Sequence, residues 1–137
     1  NLEYVVADSE GLSRIPSGGV DLVVSFALVQ HLTAEVLDHV LSVWQKKLRS
    51  GGKLVLHVQL IDDVWKTEDD WKSDRSVKGR IKYRYGLHCF GRTEETYRHA
   101  VEKHGFDDIN VKLVSDLVPS ADFDDIGSQH LLTAIKK

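Results

Sequence analysis

The stretches GVDLVVSF (residues 19–26) and LRSGGKLVL (residues 48–56) decide the fold of this chain. The first is a nearly continuous run of apolar, strand-forming residues, which is typical of a strand buried on both faces of a parallel sheet. The second ends a helix at Gly51 and Gly52 and leads into another apolar strand. A strand, a helix and a strand in this order predict an α/β fold with a mostly parallel sheet.

The remaining elements follow from the spacing of apolar residues on either side of these stretches. Apolar residues three and four positions apart predict helices over residues 33–48 and 93–104, with Thr33 and Thr93 as their N-caps. Further strands are predicted over residues 2–7, 53–60, 109–114 and 130–135. The last two strands are joined only by a loop, so one of them is expected to run antiparallel.

The composition limits the functional classes. A chain of 137 residues with 42% hydrophobic and 28% charged residues is expected to form a single domain, residues 1–137. A net charge of −3 argues against a non-specific nucleic-acid binder. No apolar run approaches the roughly 18 residues that would cross a membrane. A single cysteine, Cys89, favours a reducing compartment, and we expect a cytoplasmic protein.

In their order and spacing, these motifs resemble those of the class I S-adenosylmethionine-dependent methyltransferases. In that family a strand like the one at residues 19–26 is the fourth of seven, and a motif like LRSGGKLVL leads into the fifth. Gly105 and Phe106 resemble the end of the last family helix before the sixth strand. The resemblance implies a Rossmann-like sheet in which the seventh strand, here residues 130–135, inserts antiparallel between the fifth and the sixth.

The chain departs from the family in its missing cofactor loop. The Gly-rich loop after the first family strand and the acidic residue after the second have no counterpart here, and the sequence contains no methionine. We therefore expect a C-terminal portion of a longer methyltransferase, truncated at its N-terminal side. Two alternatives remain: residues 2–7 pair beside residues 20–26, or two chains form a homodimer through the exposed sheet edge.

The resemblance implies a cofactor site at the C-terminal end of the fourth family strand, where open α/β sheets bind ligands. Asp8 stands where the family has an acceptor for the adenine amino group, although a turn aspartate that bonds nearby amides is an equal alternative. His31 is the candidate general base, since histidine accepts a proton near neutral pH. The candidate S-adenosylmethionine contacts are Asp8, Phe26, Leu28 and Gln30.

The long segment 61–91 is predicted to be an insert that recognises a small-molecule substrate, as a lid over the site. Aromatic residues would form its walls, while Arg80, Lys82 and Arg84 would meet an anionic group. A surface excursion that covers the sheet edge is the alternative. The candidate substrate residues are Trp65, Tyr83, Arg84, Tyr85 and His88.

Other chemistries find little support. The seven histidines show no metal-ligand spacing, so no metal site is predicted. His57, near the end of a strand, is expected to be structural more often than functional. Two functions remain: methyl transfer from S-adenosylmethionine to a small molecule, or a non-catalytic methyltransferase-like remnant that acts as a binding or dimerisation module.

Overall fold

The computed structural model describes residues 9–61, 65–117 and 129–137, with side chains from residue 12 onward. The predicted strand at residues 2–7 and the candidate residue Asp8 lie outside this range. The elements in chain order are α1 (Ser9–Arg14), β1 (Val20–Ser25), α2 (Ala34–Lys47), β2 (Leu48–Gln59), α3 (Glu68–Ser73), α4 (Val77–Arg84), α5 (Glu94–Lys103), β3 (Phe106–Leu113), α6 (Val114–Leu117) and β4 (Gln129–Lys136).

The described strands form one four-stranded sheet in the order β1-β2-β4-β3. β1 pairs in parallel with β2, while β4 runs antiparallel to both β2 and β3. β3 therefore points the same way as β1 and β2, and only β4 is reversed. The predicted α/β fold is confirmed, as is the insertion of the last strand between its two predecessors.

The two long helices begin where their caps predict. The Thr33 hydroxyl accepts a hydrogen bond from the amide of Val36, and the Thr93 hydroxyl accepts one from the amide of Thr96. α5 ends before Gly105, whose φ of 78° lies in the left-handed region that glycine adopts without steric cost. These local signals set where both helices begin and where α5 ends.

The hydrophobic core lies on the face of the sheet that α2 and α5 cover. Leu54 and Leu56 of β2 are fully buried there, together with Leu41 of α2, Tyr97 of α5 and Leu132 of β4. Their aliphatic and aromatic side chains form one cluster. Because this cluster holds helices and strands together, it is the main apolar contribution to stability.

The opposite face of β1 is open, so the prediction of a strand buried on both faces is wrong. Leu22 is 50% exposed and Val24 is 60% exposed, whereas Val23 between them packs against the core. Side chains alternate between the two faces of a strand, and α2 and α5 lie on the Val23 side. No described element buries the other side of β1.

The insert contains two short helices that its irregular hydrophobic pattern does not predict. α3 begins with a capping box, in which the hydroxyl of Thr67 accepts from the amide of Asp70 and the Asp70 carboxylate accepts from the amide of Thr67. α4 begins at the Ser76 cap, whose hydroxyl accepts from the amide of Gly79. Helix caps, rather than apolar periodicity, were the available sequence signal.

Candidate functional site

A sharp turn follows β1 at its C-terminal end. Ala27 has a φ of 52°, a left-handed conformation that is uncommon for a residue other than glycine. The amide of Ala27 donates a hydrogen bond to Nδ1 of His57, at 3.2 Å, from the neighbouring strand β2. This bond holds the turn against the end of the sheet and leaves Phe26 and Leu28 exposed on either side of it.

His57 has a structural role, because both of its ring nitrogens are used. Nδ1 accepts from Ala27, so Nε2 carries the proton and donates to Oε1 of Gln129 at 2.8 Å. The ring of Phe26 stacks on the imidazole, with 4.4 Å between the ring centroids. His57 is itself buried and joins β1, β2 and β4 at one end of the sheet.

The three cofactor candidates that the structure describes lie close together but differ in solvent exposure. Phe26 is 67% exposed, Leu28 is 45% exposed and Gln30 is buried. The Oε1 atom of Gln30 and the hydroxyl of nearby Ser25 are buried and have no hydrogen-bond partner among the residues that the structure describes. Buried polar atoms are nearly always hydrogen-bonded in proteins, so two such oxygens at the end of β1 are an unusual feature.

His31, the candidate base, is exposed and is held by the insert. Its Nδ1 lies 2.5 Å from the carbonyl oxygen of His88, which can only accept, so Nδ1 carries the proton. In the neutral ring, Nε2 then keeps a lone pair. The sulfur of Cys89 lies 3.8 Å from each of the two ring nitrogens, and burial raises the pKa of this thiol, so it stays protonated at neutral pH.

Arg92 anchors the turn to the insert and was missed by sequence reasoning. Its guanidinium is buried and donates to the carbonyl oxygens of Val29, at 3.3 Å, and Leu32, at 2.5 Å. It also lies 3.8 Å from the carboxylate of Glu68, which accepts from the amide of Ala34 at the start of α2. No sequence motif links these residues, because their contacts form only in the folded chain.

A groove of about 530 Å³ opens between α3 and α4. Of the predicted substrate residues, Tyr83, Arg84 and Tyr85 line it. His88 does not: it is buried behind Tyr83, whose ring stacks on the imidazole at 4.9 Å. Trp65 packs against Gly91, away from the groove lining. The structure thus brings together three of the five substrate candidates.

Asp74 braces the turn between α3 and α4. Its carboxylate accepts from Lys66 at 2.6 Å and from the amide of Ser76 at 2.8 Å. These bonds, chiefly the one from Lys66, lower the pKa of Asp74 to about 2. The residue is therefore ionised throughout the physiological range. Gly79 leaves room for this carboxylate, since a Cβ there would overlap it.

In the described parts of the chain, no group of three histidine, cysteine, aspartate or glutamate side chains could hold a metal ion. Among the helices described, none has the length and apolar character needed to span a bilayer.

The fold is shared with solved methyltransferase structures. A methyltransferase from Archaeoglobus fulgidus described as S-adenosylmethionine-dependent superposes with a TM-score of 0.58 at 18% identity, over 93% of this chain and 64% of that one. Human N-acetylserotonin methyltransferase, in complex with S-adenosylmethionine, gives 0.53 at 16% identity, over 85% of this chain and 29% of that one. Phosphoethanolamine N-methyltransferase 2 of Haemonchus contortus gives 0.56 at 15% identity, over 88% and 34%.

Sequence comparisons add no closer relative. No protein-family model and no curated protein sequence matches the chain. The chain spans between 29% and 64% of the length of these three structures. The sheet order, the reversed last strand and these superpositions agree. The chain has the Rossmann-like fold of the class I S-adenosylmethionine-dependent methyltransferases.

Proposed function

We propose that this chain is part of a methyltransferase that transfers a methyl group from S-adenosylmethionine to an oxygen, nitrogen or carbon atom of a small molecule. The observation that carries the proposal is the methyltransferase strand order with an exposed, strained turn at the C-terminal end of β1. Ligands of open α/β sheets bind at this end of the strands. A cytoplasmic location is part of the proposal, because the only cysteine has no disulfide partner within the chain.

The residues at this turn suit the cofactor chemically. Phe26 presents an exposed aromatic face on which a purine can stack, and Leu28 adds apolar surface beside it. Oε1 of Gln30 is buried and accepts no bond from any described residue, so it matches an N–H donor, of which the amino groups of S-adenosylmethionine offer several. When bound, the cofactor supplies a methyl group on a positively charged sulfur. Asp8 remains the proposed acceptor for the adenine amino group.

His31 is the proposed general base. Its Nδ1 proton is fixed on the His88 carbonyl, so the lone pair of Nε2 is available to take a proton from a substrate nucleophile. The ring is exposed, and the insert that holds it also forms the α3–α4 groove. In this proposal the insert holds the substrate and the base together, and the chain contributes mainly by positioning the reactants.

Replacing Phe26 with alanine is expected to weaken S-adenosylhomocysteine binding about tenfold, because one base–aromatic stack contributes about 1–3 kcal/mol. Isothermal titration calorimetry on the 137-residue chain measures this directly. Asp8→Ala is expected to weaken binding as well. Tyr85→Ala is the matched control: Tyr85 is also 67% exposed but lies on the groove, so it should leave the affinity within about twofold.

Two outcomes of the same titration would contradict the proposal. If Tyr85→Ala weakens binding as much as Phe26→Ala, the cofactor does not lie on the β1 turn. If the unmodified chain takes up neither S-adenosylmethionine nor S-adenosylhomocysteine at millimolar concentration, the chain does not bind the cofactor by itself.

One observation favours a second candidate, a non-catalytic binding or dimerisation module. Leu22 and Val24 lie on one face of β1, the edge strand of the described sheet, and Phe26 directly after the strand continues this exposed apolar row. Apolar rows at sheet edges promote association. A chain that sediments as a dimer and binds no cofactor would support this function over methyl transfer.

A further inference from the structure

The α3–α4 groove carries an uncompensated positive charge. Arg75, Arg80 and Arg84 line it and form no ion pair with any described residue. The other two charged residues of the lining are already paired, Lys72 with Glu68 at 2.7 Å and Asp74 with Lys66 at 2.6 Å. The groove thus presents three guanidinium groups whose charge the described structure does not balance.

An apolar stripe runs beside these guanidinium groups. Val77, Ile81 and Tyr85 lie four residues apart along α4 and its C-cap, so they share one face of the helix. They are 74%, 50% and 67% exposed, and all three line the groove. Exposed apolar side chains that line a concave surface are typical of a binding site rather than of an ordinary solvated helix.

The groove is connected to the candidate base through two residues of the insert, His88 and Cys89. Trp71 lines the groove and donates from its indole nitrogen to the carbonyl oxygen of Cys89 at 2.9 Å. Tyr83 lines it as well and stacks on His88, whose carbonyl oxygen holds His31. A molecule bound in the groove would therefore contact Trp71 and Tyr83, which in turn contact the residues next to His31.

We propose that the α3–α4 groove binds an organic anion: a carboxylate or phosphate head attached to an apolar or aromatic body. The head contacts Arg80 and Arg84, with Arg75 beside them, since guanidinium groups bind both anions through paired hydrogen bonds. The body covers Val77, Ile81 and Tyr85. That this anion is the methyl acceptor rests on the proposed function, whereas its binding to the groove does not.

The charges on α4 themselves favour such a ligand. Arg80 and Arg84 are one helical turn apart, and like charges at this spacing destabilise a helix by a few tenths of a kcal/mol. An anion between them removes this repulsion. An anionic membrane surface would also attract basic and apolar residues, but the α4 stripe and the two arginines line a concave groove of about 530 Å³. That volume suits a small molecule.

The test compares three probes with one aromatic body: naphthyl phosphate, naphthoate and the uncharged naphthol. Each is titrated into the isotope-labelled chain without cofactor, and binding is followed by NMR shifts of the Trp71 indole and the α4 amides. We expect both anions to shift these signals and naphthol to bind at least tenfold more weakly. The tighter of the two anions identifies the head group.

Two double variants of the same helix separate the groove from general charge. Arg80→Gln with Arg84→Gln is expected to weaken anion binding about tenfold, because charge-assisted hydrogen bonds are lost. Lys78→Gln with Lys82→Gln removes the same charge from residues that do not line the groove, and a change below threefold is expected. Equal losses in both variants, or naphthol binding as tightly as the anions, would overturn the proposal.

Two further arms complete the test. The first arm measures binding of the chain to vesicles of phosphatidylglycerol and phosphatidylcholine. The ligand is a membrane surface instead if the chain binds these vesicles, both double variants weaken this binding equally, and naphthyl phosphate does not shift the groove signals. S-Adenosylhomocysteine is titrated into the same samples. Shifts at residues 26–30 without any groove binding refute the anion site alone, and groove binding without cofactor shifts refutes only the proposed function.

Discussion

Replacing Arg92 with methionine lowers the free energy of unfolding by about 3 kcal/mol, because it removes one member of a buried charged cluster. Methionine retains apolar bulk but cannot donate to the carbonyl oxygens of Val29 and Leu32, and it leaves the Glu68 carboxylate without its buried cation. The Val29 oxygen still accepts from the amide of Leu32, whereas the Leu32 oxygen loses its bond from Arg92, and a buried acceptor left without a partner costs about 1–3 kcal/mol. Urea denaturation followed by circular dichroism measures the change.

Arg49→Met is the matched control for this prediction. Arg49 pairs with Asp21 at 2.6 Å, but the two side chains are 55% and 80% exposed. Exposed ion pairs contribute about 0–1 kcal/mol, so this variant should stay within 1 kcal/mol of the unmodified chain. Equal losses in the two variants would show that Arg92 does not anchor the turn in the way its contacts indicate.

Replacing Leu56 with alanine lowers the free energy of unfolding by about 3 kcal/mol, through lost apolar contacts and the cavity left behind. Leu56 is fully buried at the centre of the sheet, paired with Ser25 of β1 and Leu132 of β4. Neighbours on three strands limit how far the structure can relax into the space. The same denaturation experiment provides the measurement.

Leu22→Ala provides the comparison for the two faces of the sheet. Leu22 lies on β1, the strand that pairs with β2, but it is 50% exposed on the open face. The expected loss is below about 1 kcal/mol, as for other partly exposed positions. A loss as large as that of Leu56→Ala, dependent on protein concentration, would mean that another copy of the chain covers this face.

Local signals predicted the framework well. Thr33 fixes the start of α2, and Thr93 and Gly105 fix both ends of α5, by capping that depends on neighbours in sequence. The stop expected for α2 at Gly51 and Gly52 is wrong, since α2 ends at Lys47 and both glycines lie within β2. The reversed β4 followed from the resemblance, and the structure confirms it. Where neighbouring residues or family order decide the structure, sequence is therefore a sufficient guide.

Contacts between residues far apart in the chain could not be predicted from the sequence. The bonds from Arg92 to the β1 turn and from Ala27 to His57 join residues far apart in the chain, so no spacing reveals them. The open face of β1 was missed because an apolar run does not say whether a layer covers it. Trp65 is half-buried beside Gly91 and His88 is buried, and only the tertiary structure decides these positions.

The most direct test of the account is an NMR titration of the unmodified chain with S-adenosylhomocysteine. Methyltransferase function at the end of β1 predicts that the amide signals of residues 26–30 shift in a saturable way, while those of β3 stay in place. The turn is where the exposed Phe26 and the buried Gln30 acceptor meet. Shifts confined to other regions, or none at millimolar ligand, would contradict the central claim.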